Sequence, residues 1–253
     1  MSNYMTESDQ AGMEGGGEDQ ASLIMPFYLI CDTSGSMAAY MGDLNKAVAD
    51  LIANVTADPL VDGMIMLSVI SFGTDAGVDI PLDYASNISA KSLTMRGGTN
   101  YGAALRKYRE AVDADYQRLK AGGSRFFRPC VFFLTDGQPL DAWEQAFNEA
   151  IRYNPETKVG NKMYPTLVAY GFGQADEAVL RKLAYPNFGP DGKQGRAFIA
   201  QSTDIPALLK AITAAIGTSV VSSGQSASSG VPQTVVPQET PNAKALEPEP
   251  DIF

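Results

Sequence analysis

Residues 27–37 read FYLICDTSGSM. Phe27 to Cys31 is a short, continuous apolar run of the kind covered on both faces in a parallel sheet. It breaks off into an acid, three hydroxyls and a glycine. Asp32, Ser34 and Ser36 recur at a spacing of two, so an extended or tightly looped backbone can turn all three oxygens towards one point. Residues 130–139, CVFFLTDGQP, repeat the pattern: a buried strand ends abruptly at Asp136, followed by glycine.

Working outward from these two stretches, strands and helical segments alternate. Leu44, Val48, Leu51, Ile52 and Val55 give one apolar helical face over about 41–56. MIMLSVISF (64–72) reads as a second buried strand, and GVDIPLDY (77–84), alternating and proline-bearing, as an edge strand. Gly97 and Gly98 turn the chain, Thr99 or Asn100 can cap, and a helix runs to about Lys120. Further helices are expected over about 141–153, 175–184 and 204–216, with strands at PTLVAYGFG and RAFIA between them. This alternation predicts an α/β, doubly wound, mainly parallel sheet with helices on both faces. Residues 1–22 read as a flexible acidic tail, 23–220 as one domain, and 221–253 as a disordered Ser/Pro/Glu-rich tail.

Composition narrows the function. The formal charge of -10 argues against nucleic acid and anionic membrane surfaces, which both need clustered cations. The chain has no histidine, which removes the commonest general base, the Ser-His-Asp and Cys-His arrangements and most zinc sites. Cys31 and Cys130 adjoin central strands, where a thiol is ordinarily a small buried hydrophobe. No signal-peptide pattern is visible in the first 20 residues, and no apolar run approaches the ~20 residues of a membrane span, so the expected location is cytoplasmic.

Ligands of open α/β sheets bind beyond the carboxyl ends of the strands. Asp32 and Asp136 sit at such ends, and Thr99 enters from the glycine turn. Two carboxylates and three hydroxyls, Asp32, Ser34, Ser36, Thr99 and Asp136, are hard oxygen donors suited to Mg²⁺ or a similar divalent ion. Each part has a plainer reading: Asp and Ser cap local turns, Thr99 caps a helix, and Asp136-Gly137 makes a tight turn.

These motifs resemble a known family. DTSGSM is similar to the Asp-x-Ser-x-Ser element of the metal-ion-dependent adhesion site of von Willebrand factor type A (vWA) domains, and GGTN and LTDGQP supply the matching Thr99 and Asp136. The resemblance covers about residues 24–220. It implies a six-stranded sheet of order 3-2-1-4-5-6 with strand 3 antiparallel. It also implies Mg²⁺ or Mn²⁺, and a protein partner whose Glu or Asp completes the coordination.

YGFGQADEAVLRKLA and LLKAITAAIGTSVVSSG look similar to the bacterial TerY-like, tellurite-resistance branch. That likeness implies kinase, phosphatase, stress-response or defence proteins as partners. The function expected is protein binding without catalysis. The alternative is a metal-dependent phosphohydrolase with Asp32 as nucleophile, a class that resembles Asp-x-Asp, whereas this chain has Ser34 at the second acid. The terminal KALEPEPDIF reads first as a solvated tail or a docking peptide for another protein; it also offers Glu247, Glu249 and Asp251 as tethered carboxylates for the metal site of its own chain or of a neighbour.

Overall fold

The computed structural model describes residues 22–59, 63–89, 91–187 and 195–249. The proposed N-terminal tail, up to residue 21, lies outside these described residues. Eight strands form one sheet: β1 (Leu23–Asp32), β2 (Ile65–Phe72), β3 (Ala76–Tyr84), β4 (Arg125–Phe126), β5 (Cys130–Thr135), β6 (Thr166–Gly171), β7 (Arg196–Ala200) and β8 (Ala243–Leu246). Their order is β3-β2-β1-β5-β6-β7-β8, with the two-residue β4 paired to the start of β1. The pairs from β2 through β7 are parallel; β3 on β2 and β8 on β7 are antiparallel. Leaving out β4 and β8, this is the six-stranded order expected from the sequence, with the third strand antiparallel.

The central strands read as continuous apolar runs because both faces are covered: every residue of β2, β5 and β6 is buried. One face packs on α1 (Met41–Thr56) and α5 (Ile205–Ser228), through Leu44, Val48 and Leu51 with Leu208, Ile212 and Ile216. The other packs on α2 (Tyr101–Ala121), α3 (Glu144–Ala150) and α4 (Glu177–Leu183), where Tyr101, Phe133, Trp143 and Phe147 form a chain of ring contacts. Cys31 and Cys130 are free and buried, and burial pushes both thiols well up.

The C-terminal part departs from expectation. The helix predicted to end near 216 continues to Ser228, and the segment read as disordered returns along it to lay β8 on the edge of the sheet. The serines and glycines that looked like low complexity have packing roles. Ahead of that segment, a Cβ at Gly217 would meet Leu51 at 3.4 Å, so α5 runs close along α1 there. Ser223 donates to the Ser219 carbonyl at 2.8 Å and accepts from the Val235 amide at 2.8 Å; Ser226 accepts from the Gln233 amide at 2.9 Å. The helix thereby satisfies the backbone of the returning chain, which has no strand partner there. At 24 residues α5 is long and apolar enough to cross a membrane, contrary to the sequence expectation, but half of its apolar window is buried within the fold.

Because β8 runs antiparallel to β7, with Ala243 opposite Ala200 and Leu246 opposite Ala197, the chain beyond it heads for the amino end of the parallel strands. Arg181 holds it there, donating to the Glu247 carbonyl at 2.8 Å. Glu247 and Glu249 therefore lie away from the carboxyl edge carrying Asp32 and Asp136, so neither visits the site of its own chain; Asp251 lies outside the described residues.

Candidate metal centre

The five oxygen-bearing residues come from three loops at the carboxyl edge. β1 and β5 are neighbours, with Cys31 opposite Leu134. Asp32 ends β1 and Asp136 follows β5 directly, so the parallel register brings both acids to the same edge. After Asp32 the chain enters a 3-10 turn over Gly35–Tyr40, which curls Ser34 and Ser36 back towards Asp136. Ser36 Oγ donates to Asp136 Oδ1 at 2.9 Å, Ser34 Oγ lies 3.5 Å from the same oxygen, and the two hydroxyls are 3.0 Å apart.

Thr99 arrives on the loop before α2. Its hydroxyl does not cap that helix: Asn100 is the N-cap position, without a side-chain cap bond, and Asn100 Nδ2 donates to the Thr74 carbonyl instead. A Cβ at Gly137 would lie 3.6 Å from Thr99 Oγ1, an ordinary contact distance that places Thr99 beside the Asp136 loop. Asp32, Ser34, Thr99 and Asp136 are buried, whereas Ser36 is exposed and opens the site to solvent. The structure thus brings all five residues to one edge.

Asp32 is held at both oxygens. Oδ1 accepts the Ser34 amide at 2.9 Å and Oδ2 accepts the Thr135 hydroxyl at 2.7 Å. Thr135 in turn accepts from the Tyr101 hydroxyl at 3.0 Å, which also reaches the Gly137 carbonyl at 2.9 Å. Burial raises the Asp32 carboxyl above its ordinary range; the hydrogen bonds from Ser34 and Thr135 oppose that, and the nearby Asp136 adds to it. Asp136 is raised as well, chiefly by burial, against the bond from Ser36.

Among the described residues no lysine or arginine forms an ion pair with either acid. Two buried carboxylates at one edge without a cation are costly. A divalent cation fits that deficit, and hydroxyls fit the remaining ligand positions because no third carboxylate, thiol or imidazole joins the cluster among the described residues.

The sequence did not single out Thr135, Tyr101, Thr74 or Arg96, which hold the ligand-bearing loops. Thr135 stands next to Asp136 and was legible as a neighbour; the others join the site only through the fold. A cleft of about 530 Å³ leads from Asp136 past Phe172 and Gly173 to Thr203.

Residues 27–138 match the von Willebrand factor type A domain family, a span that contains all five oxygen-bearing residues. With the sheet order above, the fold is that of a vWA domain. Solved structures agree at low identity. A von Willebrand factor type A protein from Catenulispora acidiphila is 19% identical with a TM-score of 0.52, over 79% of this chain and 43% of the other. The pilus adhesin SpaC from Lactobacillus rhamnosus GG is 18% identical with a TM-score of 0.53, over 81% and 31%. Proximal thread matrix protein 1 from the mussel byssus is 15% identical with a TM-score of 0.51, over 79% and 48%. The chain thus spans less than half the length of each of these proteins. No curated protein matches it by sequence.

Proposed function

We propose that this chain is a divalent-metal-dependent protein-binding module in which Asp32, Ser34, Ser36, Thr99 and Asp136 hold Mg²⁺ or Mn²⁺. The observation that carries the reading is the pair of buried carboxylates, without an ion-pair partner among the described residues, meeting three hydroxyls at one solvent-open edge. The ion, when bound, supplies a positive centre that attracts a carboxylate from outside. The chain's own residues do the rest: Asp32 and Asp136 supply the negative charge, the 3-10 turn aims Ser34 and Ser36, and Thr99 lies beside Gly137 of the Asp136 loop. A partner's Glu or Asp reaches the site from the exposed Ser36 side. The resemblance of the C-terminal part to the TerY-like branch supports a bacterial stress-response, defence or phosphorylation-signalling partner and a cytoplasmic setting.

The phosphohydrolase alternative has less support, because Ser34 occupies the position of that class's second acid and both Asp32 oxygens already accept hydrogen bonds. Titration of Mn²⁺ is expected to show one site per chain of modest affinity, abolished in Asp136→Ala. Capture experiments in Mg²⁺ or in EDTA are expected to yield a partner released only by the chelator. Absence of Mn²⁺ and Mg²⁺ binding at millimolar concentration, or phosphatase turnover lost in Asp32→Asn, refutes the reading.

A further inference from the structure

We propose that Arg96, which bears none of the oxygen ligands, is the positioning residue that fixes the Thr99 loop against the other two ligand loops. This role rests on the metal-centre reading above. Arg96 begins the segment RGGT, and each of its polar parts is tied to a different neighbour. Its amide donates to the Thr33 carbonyl at 2.8 Å, between Asp32 and Ser34, and its carbonyl accepts from the Thr74 amide at 2.7 Å.

The guanidinium reaches back over the β2–β3 hairpin. Nε donates to Ser71 Oγ at 2.7 Å, Nη1 to Asp75 Oδ1 at 3.0 Å, and Nη2 lies 3.5 Å from Asp79 Oδ1. Ser71 is itself bound to Asp79 through both its hydroxyl and its amide. Asp75 is 75% exposed while Asp79 is only 9% exposed, so the Ser71–Asp79 end is the anchoring one and the Asp75 contact is largely screened.

Two glycines show that the space is shaped around this side chain. A Cβ at Gly73 would overlap the Arg96 backbone at 2.5 Å, and one at Gly77 would overlap the guanidinium Nη2 at 2.5 Å. From Arg96 the chain continues through ties that deliver Thr99. Gly35 N–H donates to Gly97 O at 2.6 Å, Gly98 N–H to Thr74 Oγ1 at 2.8 Å, and Asn100 N–H to Gly73 O at 2.8 Å. The planar fork suits a network of this kind, and a lysine's point charge does not replace it.

Positioning and charge make opposite predictions. Removing a nearby positive charge by itself strengthens cation binding, whereas releasing a ligand-bearing loop weakens it. Groups outside the ligand set that orient a metal site are worth about 10–100-fold in affinity.

The test is Mn²⁺ titration of the full chain, held well below its melting temperature, as wild type, Arg96→Met, Arg96→Lys, Gly77→Ala and the Gly77→Ala/Arg96→Met double variant. Arg96→Met and Arg96→Lys are each expected to weaken Mn²⁺ about tenfold. Gly77→Ala, which touches no ligand loop and alters no charge, is expected to weaken it too by displacing the guanidinium. The double variant is expected to bind no more weakly than Arg96→Met, because both changes remove one interaction. Should Arg96→Met fail to fold, Gly77→Ala carries the test alone, since its new methyl meets the movable end of a side chain. Wild-type binding with Gly77→Ala or Arg96→Met within twofold of it, tighter binding in Arg96→Met, or multiplicative losses in the double variant overturns the role alone. A wild-type chain that takes up no Mn²⁺ overturns the metal centre and this role with it.

Discussion

Thr135→Val tests whether Asp32 is held in place by its neighbour on β5. Thr135 is fully buried, and valine replaces its hydroxyl by a methyl group of nearly the same volume, so packing is kept. Asp32 Oδ2 then loses its donor at 2.7 Å, while the Tyr101 hydroxyl retains the Gly137 carbonyl at 2.9 Å. The main loss is therefore the hydrogen bond to a buried charged group, about 1.5–3 kcal/mol, with the longer bond that Thr135 Oγ1 accepts from the Gly137 amide at 3.3 Å going with it. Taking about 2 kcal/mol, the metal-free protein should melt about 4–8 °C lower, given roughly 2–4 °C per kcal/mol for a domain of this size.

A second readout separates this from general loosening. The Thr135 bond favours the ionised form of Asp32, so its removal raises the carboxyl further and lets protons compete with metal at higher pH. The midpoint of Mn²⁺ binding against pH should move upward. Scanning calorimetry with EDTA and Mn²⁺ titration across pH 5 to pH 8 check both. A melting temperature within 1 °C of wild type together with an unmoved pH midpoint would refute the reasoning.

Three further outcomes follow from the same geometry. Burial raises both metal-site carboxyls, so the folded metal-free state holds protons more tightly there than the unfolded chain does. Its stability is therefore highest with these acids protonated and falls as pH rises from the ordinary carboxylate range near 4 through the raised folded values. Asp32→Asn, measured in EDTA, should melt above wild type at pH 7 and lose that advantage as the pH approaches 4; a constant offset across pH would count against a buried charge. Leu246 is 3% exposed on β8, and Leu246→Ala should cost about 2–5 kcal/mol by denaturant titration, where a disordered tail would show no effect. Removing metal with EDTA should leave the far-ultraviolet circular dichroism unchanged, since the sheet buries its own strands on both faces; loss of signal would make the ion structural.

The sequence alone determined that the central strands are covered on both faces and that Asp32 and Asp136 stand directly after them. Continuous apolar runs at 27–31, 64–72 and 130–135 mark strands covered on both faces, and an acid placed directly after such a run must sit at a carboxyl edge whatever the rest of the chain does. What it left open depended on partners distant along the chain. The hydroxyl of Thr99 taken by itself reads first as a helix cap, and only the approach of the Gly137 loop, with Asn100 Nδ2 turned to Thr74, sets it beside the site.

Arg96 carried no signal of its own in the sequence. Its meaning depends on Ser71 and Asp79, which lie on two strands of an antiparallel pair whose irregular register local propensity does not encode. The Ser/Pro/Glu-rich stretch from residue 221 onward misled most, because composition measures what a segment can bury by itself. Here the serines are satisfied by helix carbonyls and by a returning backbone, and β8 takes its hydrogen bonds from the exposed edge of β7. Those interactions exist only once the rest of the sheet has formed.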